Sequence, residues 1–278
     1  MDAMRVHLVD ASPYIFRAFH TLPGSIQDPE GRPTNAVHGF LDFLLRLIRE
    51  EEVTHLAVCF DFDLVLSFRN DFYPLYKAHR EAPPAPLLPQ LDRCREAAEA
   101  IGARTFIAKG YEADDLIATL ARRLDAPAVI VSGDKDLAQL VTSDVALLDF
   151  ARDERYGPGE VKAKFGVRPD QIADLLALAG DAVDNIPGVE GIGKKTAAKL
   201  LSTFAHVEDV DWGGLRGPAA QGRESALLSK RLALVAYDAP VSAGLDDLRY
   251  RGADAAALDA FLGRLGSERL RARIPLRS

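Results

Sequence analysis
The chain has 278 residues, 48% hydrophobic and 27% charged, with a formal net charge of −7. That is enough apolar material for one large domain, or for a domain with an appendage. The two cysteines, Cys59 and Cys94, make neither a disulfide framework nor a zinc spacing, MDAMRVHLVD lacks the basic start of a signal peptide, and no apolar run reaches membrane-span length; a protein of the reducing cytoplasm, with no membrane partner, is expected.

Through residue 150, β-like runs alternate with helical patterns. Residues 5–9, 55–60, 104–107, 128–131 and 145–148 read as buried strands; 35–51, 90–101 and 112–124 repeat apolar residues at helical spacing, with Gly102 as a C′ residue for the second. Strand and helix in alternation predict an α/β fold with a mostly parallel sheet covered on both faces. Pro83, Pro84, Pro86 and Pro89 read as a stiff connector. From Pro158 on, helical patterns dominate, and Pro158 and Pro169 suit first helical turns. A boundary is placed near residue 155, giving an α/β domain over 1–155 and a helical subdomain over 156–278. The Gly-rich stretch 212–223 carries no assigned chemistry.

Nine acids stand where these runs end or begin. Asp10, Asp61 and Asp134 follow strand patterns; Glu112, Asp114 and Asp115 open a helix; Asp134 and Asp136 open another in SGDKDLAQLV; Asp181 and Asp184 follow in GDAVDN. In a parallel sheet the strand C-termini share one edge, where open α/β folds bind ligands. A lone acid at a helix start is more often a cap than a ligand. Three strand ends plus two acidic helix starts exceed what capping explains. Carboxylates gathered there need cations to neutralise them. Hard oxygen donors without a converging histidine suit two Mg²⁺ or Mn²⁺ ions, roughly 4 Å apart, for phosphoryl chemistry. Asp63 alternates away from Asp61 and reads as solvated. Setting the nine aside leaves +2 on the rest of the chain, and residues 249–278 hold seven arginines against three acids, so the remaining surface can face phosphates.

Residues 180–200 read GDAVDNIPGVEGIGKKTAAKL. Gly188, Gly191 and Gly193 allow a tight turn between helices with backbone N–H groups open to a phosphate. Ile192 can bury in the turn, and Lys194, Lys195 and Lys199 follow. The pattern is a helix-hairpin-helix, which grips a DNA backbone without reading bases; the plain alternative is an ordinary turn with solvated lysines. In SFRNDFYPLYKAHRE, Arg69, Lys77 and Arg80 interleave with Phe68, Phe72, Tyr73 and Tyr76, a mixture that can contact phosphates and stack bases. Its alternative is a half-buried helix with a solvated basic side.

At LVDAS with Phe16 and Phe19, NAVHGF, the FD of Asp61, SFR…YKAHR, YEADDLIATLA, SGDKDLAQLV and GDAVDNIPGVEGIGKKTAAKLL, the chain resembles the 5′ nuclease superfamily, which includes the N-terminal nuclease domain of bacterial DNA polymerase I, phage 5′-exonucleases and flap endonucleases. The strings run in family order from residue 6 to about 204 and resemble a stand-alone bacterial member. The resemblance implies a PIN-like fold with a helical arch over residues 64–90 and a helix-3-turn-helix element over 170–204. It also implies a metal-dependent 5′→3′ exonuclease and 5′-flap endonuclease of replication and repair. Asp10, Asp61, Glu112, Asp114 and Asp115 would hold one metal, Asp134 and Asp136 would lie between the two, and Asp181 and Asp184 would hold the second. Lys77 and Arg80 match arch cations at the reacting phosphate, and Arg69 a basic position at the arch base. Tyr76 and the hairpin residues Gly188, Gly191, Ile192, Gly193, Lys194, Lys195 and Lys199 would contact DNA, with K⁺ at the hairpin. The expected partner is DNA with a 5′ flap, gap or 5′ end, RNA-primed ends included, bound by a monomer in the bacterial cytosol. One extra residue between Asp61 and SFR leaves the arch register open. The rivals are a phosphatase with an aspartyl nucleophile, for which Asp63 would be essential, and a DNA-binding protein that does not cleave.

Overall fold
A computed structural model describes residues 4–277; residues 1–3 and 278, the extreme ends of the two expected domains, lie outside the described residues. Six strands form one sheet: β1 (Val6–Asp10), β2 (His55–Cys59), β3 (Arg104–Phe106), β4 (Ala128–Val131), β5 (Val145–Asp149) and β6 (Glu154–Tyr156). Their order is β3-β2-β1-β4-β5-β6, parallel throughout except for β6, which runs antiparallel to β5 at the edge. β1 and β2 are buried at every residue, as strands covered on both faces should be. Their side chains alternate between two cores. Val6, Leu8, Ala57, Cys59 and Ile130 face one, and Val9, Val58 and Val131 the other.

The second core is covered by α1 (Ser12–Thr21), α2 (Asn35–Glu50) and α4 (Leu88–Ala100). The first is covered by α5 (Ala113–Leu124) and merges with a helical group: α6 (Pro158–Phe165), α7 (Ile172–Ala179), α8 (Lys194–Leu201) and α9 (Arg223–Ala233). Gly102 has φ +90° just past α4, and its N–H donates to Glu99 O at 2.9 Å, the left-handed C′ geometry that its position predicts. A side chain there would also strike the backbone of Gly252, whose O lies 2.2 Å from a built Cβ.

Three features depart from expectation. Between residues 64 and 90 the only helix before α4 is α3 (Arg69–Phe72), four residues long; turns and extended chain make up the rest. Pro74, Pro83, Pro84 and Pro86 cannot supply helical N–H groups, so a long helix cannot form there. Pro89, read as connector, lies instead in the first turn of α4. Finally, residues 249–277 leave the helical group. Arg249 bridges His55, Tyr250 N–H donates to Thr54 O at 2.8 Å, and α10 (Ala255–Leu265) joins the core shared by α2 and α4. Residues 156–277 are therefore not one spatial unit, because the apolar Leu258, Phe261, Leu262 and Leu265 bury against the first domain. Three of the seven tail arginines form ion pairs there, Arg264 with Glu96, Arg271 with Asp259 and Arg273 with Asp42. α1 and β6 escaped the sequence reading, β6 because a three-residue edge strand with no buried residue has no apolar pattern. Among the described residues no helix is long and apolar enough to cross a membrane.

Candidate active site
Parallel register sets Asp10 beside Cys59 and Val9 beside Val131, so Asp10, Asp61 and Asp134 emerge along one sheet edge. α5 starts at the same edge. Asp61 accepts from Ser12 Oγ at 2.5 Å and from the Ala113 N–H at 2.8 Å, which seats it on the positive end of α5. Asp10 accepts from Ser132 Oγ at 2.8 Å; the same hydroxyl accepts the Asp134 N–H at 2.9 Å. Asp134 in turn accepts the Asp136 N–H at 2.8 Å, closing a short 3₁₀ turn (Asp136–Leu140) where a helix start was expected. Ser12, Ser132 and Lys135 were missed as site residues; a lone polar residue in or just after an apolar strand run, as in VIVS, was the available signal.

A cavity of about 440 Å³ is lined by Asp10, Asp61, Glu112, Asp114 and Asp134 together with Lys77 and Arg80. Burial, reinforced by Asp61 and Asp134, pushes Asp10 up to about 8, and burial with Asp134 beside it does the same to Asp136. Asp61, Asp114 and Asp134 are also raised, first by burial and then, against some opposing hydrogen bonds, by neighbouring carboxylates. Glu112 goes the other way: burial alone would raise it, but Lys77 and Arg69 hold it down to about 2. Opposed shifts in one cleft are the pattern expected of a functional site, where burial and like charges raise some acids while buried cations lower another.

Asp181 and Asp184 adjoin this cavity. Asp181 pairs with Lys135 at 2.8 Å; Asp184 pairs with Arg80 at 2.5 Å, lies 3.8 Å from Lys77 Nζ and accepts from Tyr76 Oη at 3.2 Å. Asp136 feels the charge of both. Asp115 is placed differently from the set in which it was expected. One oxygen accepts from Arg69 Nη1 at 2.9 Å and the Glu112 N–H at 3.1 Å; the other accepts from Arg69 Nη2 at 2.9 Å and the Ala236 N–H at 2.7 Å. Four donors leave it no free lone pair for an ion, and it is fully buried.

The cations also differ from a solvated basic face. Arg69 is 3% exposed and locked to Asp115. Lys77, at φ +53°, turns inward onto Glu112, and only Arg80 keeps a third of its side chain exposed. Tyr76, expected at the DNA surface, is 3% exposed, with Arg69 5.8 Å and Lys77 5.0 Å from its ring centroid. In the hairpin, Gly188 (φ +65°) is buried, its N–H donating to Ser229 Oγ at 2.9 Å, so it shapes the turn and offers nothing to a ligand. Gly191 (φ +82°), Gly193, Lys194, Lys195 and Lys199 are exposed and Ile192 is buried. Asp63 is exposed and caps the Val65 and Leu66 N–H groups, a local turn role.

The residues fit divalent ions. Buried oxygens of Glu112 (Oε1) and Asp136 (Oδ1) have no hydrogen-bond partner among the described residues, an expense normally met by an ion or water. Among those residues no three acidic, histidine or cysteine side chains close on a single point; five of the carboxylates line the cavity instead.

The family model described as the 5′-3′ exonuclease N-terminal resolvase-like domain matches residues 5–166, and that of its C-terminal SAM fold matches 167–256. The chain belongs to the 5′-3′ exonuclease family, whose members are nuclease hydrolases. It is 37% identical over 269 residues to a 5′-3′ exonuclease of Mycobacterium tuberculosis, covering 84% of this chain and 85% of that one. It is 40% identical over 272 residues to DNA polymerase I of Rhizobium leguminosarum, covering 92% of this chain but 27% of the polymerase, so the chain spans about a quarter of that relative's length. The fold is shared with a zinc-bound T5 5′-exonuclease (TM-score 0.71, 22% identity, 94% of this chain and 99% of that one). The two family models meet at residue 166–167, within the loop after α6.

Proposed function
We propose that this chain is a divalent-metal-dependent 5′→3′ exonuclease and 5′-flap endonuclease that hydrolyses phosphodiester bonds of DNA with a 5′ flap, gap or 5′ end, RNA-primed ends included, as a monomer in the bacterial cytosol. The observation that carries the reading is the cavity at the strand C-termini, where five mutually repelling carboxylates line one space with Lys77 and Arg80. Asp10, Asp61, Glu112, Asp114 and Asp134 would hold one Mg²⁺ or Mn²⁺, and Asp136, Asp181 and Asp184 a second. Bound ions would supply a water acidic enough to attack at neutral pH and charge to offset the phosphate's. The protein's own part is orientation. Ser12, Ser132 and the Ala113 N–H aim the carboxylates. Lys77 and Arg80, now paired with Glu112 and Asp184, would exchange part of that pairing for the non-bridging oxygens of the reacting phosphate. The exposed turn at Gly191–Gly193 with Lys194, Lys195 and Lys199 would hold the duplex backbone, K⁺ included through backbone carbonyls.

A labelled 5′-flap duplex tests this. With Mg²⁺ the wild type should release the flap, with EDTA it should not, and Asp134→Asn combined with Asp136→Asn should lower turnover by about 10³-fold or more while still binding the duplex. Scission by the double variant at the wild-type rate, or removal of a terminal phosphate in place of strand scission, overturns the assignment.

A further inference from the structure
α9 is an eleven-residue helix tied to the hairpin along its body and to the carboxylate turn at its C-terminus. On its body, Ser225 Oγ donates to the Gly188 carbonyl at 2.5 Å and Ser229 Oγ accepts the Gly188 N–H, so the hairpin turn is fastened to α9. At its C-terminus, the carbonyls that a helix end leaves unsatisfied, and the N–H groups of the segment that follows, are not given to water. Arg69 donates from Nε to Leu232 O at 2.9 Å and from Nη2 to Leu234 O at 2.8 Å, while Asp115 accepts the Ala236 N–H. Gln139 closes the other side. Its Nε2 donates to Ala233 O at 3.0 Å and to Asp136 O at 2.9 Å, and its Oε1 accepts the Val235 N–H at 3.2 Å. One amide side chain thus joins the turn that carries Asp134 and Asp136 to the end of the helix that carries the hairpin. The Arg69–Asp115 pair makes the parallel link to Glu112, whose N–H Asp115 also accepts.

We infer that Gln139, with the Arg69–Asp115 pair, is a positioning residue that sets α9 as a strut of fixed length between the duplex-holding hairpin and the carboxylate cavity. This rests on the nuclease reading above. The attachment of α9 to the hairpin and its C-terminal attachment are both hydrogen-bonded rather than merely in contact, so a change in the hairpin's position is passed to the Asp136 turn and to the start of α5. Neither Gln139 nor Arg69 needs to touch the reacting phosphate for this. The substrate's duplex and its scissile bond are held by different elements, and catalysis depends on their spacing: misplacement by about 1 Å can cost about 10²-fold in rate.

Gln139→Met keeps the side chain's length and removes its three hydrogen bonds. On a flap substrate with saturating Mg²⁺, kcat should fall by about 10- to 100-fold, while KM and duplex affinity stay within about twofold. Arg69→Lys, which keeps the charge but loses the fork, should give the same split and serves as the readout should Gln139→Met fail to fold. A measurement independent of cleavage accompanies these: in EDTA, adding a duplex should slow amide hydrogen exchange across residues 134–140 in the wild type and not in Gln139→Met. Unchanged kcat in both variants, parallel loss of kcat and affinity, or duplex-induced protection that persists in Gln139→Met overturns the strut. An inactive wild type would instead sink the nuclease reading, and the exchange result would still decide the coupling.

Discussion
β1 starts beside a buried histidine and finishes at a buried aspartate, and the contrast between its two ends explains how this sheet carries a site. His7 and Asp10 are each 4% exposed. Around His7 the charges are mixed: Glu51 lies 3.7 Å away, with Arg5 and Arg155 beyond it, and burial drives the imidazole down to about 4, leaving it neutral near pH 7. Around Asp10 the neighbours are other carboxylates, and burial with their repulsion pushes it up to about 8. Both ends obey one rule, that low dielectric favours the neutral form. At the His7 end losing a proton is enough, and Arg249 and Tyr250 cover the adjoining backbone of Thr54 and His55. At the Asp10 end protonation would neutralise only one of several acids, and the cavity stays open for cations.

The sharpest way to break this comparison is to remove the internal cation at the Asp10 end. Lys77 is held up in pKa, against its own burial, by Glu112 and Asp184. Lys77→Met leaves Glu112 with Arg69 at 3.6 Å as its remaining cation and should lower flap-cleavage turnover by about 10²-fold. His7→Gln, at the other end of the same strand, should leave turnover within about twofold. Equal losses in steady-state assays of the two variants would mean that the site is not confined to the strand C-termini.

What the sequence made legible at this edge was placement. Asp10, Asp61 and Asp134 are convergent because strand periodicity fixes where each run stops, and periodicity is local. What it hid was pairing. Asp115 follows Asp114 in the same acidic triplet, yet the helical turn of about 100° per residue sends one into the cavity and the other to Arg69, forty-six residues away in sequence. Gln139 carries no signal within DLAQLV because two of its three partners, Ala233 O and the Val235 N–H, lie more than ninety residues away. Gly188 and Gly191 read alike, but only the fold shows that a Cβ at Gly188 would sit 2.3 Å from Gly180 N while one at Gly191 meets nothing within 4 Å. Long-range hydrogen bonds decide such matters, and no short window of sequence contains them.

Stability against pH sharpens the contrast further. The folded-state pKa of His7 lies below its ordinary 6.5, so its contribution is present above pH 6.5 and is lost as pH falls toward about 4. For Asp10 the folded value lies above 3.8, so its contribution is present below that value and is lost as pH rises toward about 8 in ion-free protein. Relative to wild type in EDTA, His7→Gln should gain stability on going from pH 7.5 to 5, and Asp10→Asn should gain on going from pH 5 to 8, each by about 1–3 kcal/mol. Mg²⁺ should abolish the Asp10→Asn advantage at pH 8, because an ion takes over the neutralisation. Thermal melts of the three proteins at these pH values decide it: slopes of the same sign for both variants would contradict opposite environments at the two ends.

The smallest effect concerns the tail that folds back beside the His7 end. Its arginines looked, by count, like a phosphate-binding surface, but Arg264 meets Glu96 at 3.3 Å with side chains 61% and 46% exposed, on a helix that adjoins α4 and not the cavity. A pair so exposed contributes less than about 1 kcal/mol, since water screens the attraction and two long side chains lose rotamer freedom. Arg264→Ala should therefore shift the melting midpoint by only a degree or two, on the order of what such a pair is worth in a chain of this size, and should leave the salt dependence of duplex binding unchanged. A cation that does contact a phosphate contributes about one unit to the slope of log affinity against log salt. A drop of that size in Arg264→Ala would place DNA on the tail's face of the sheet and erase the functional difference between the two ends of β1.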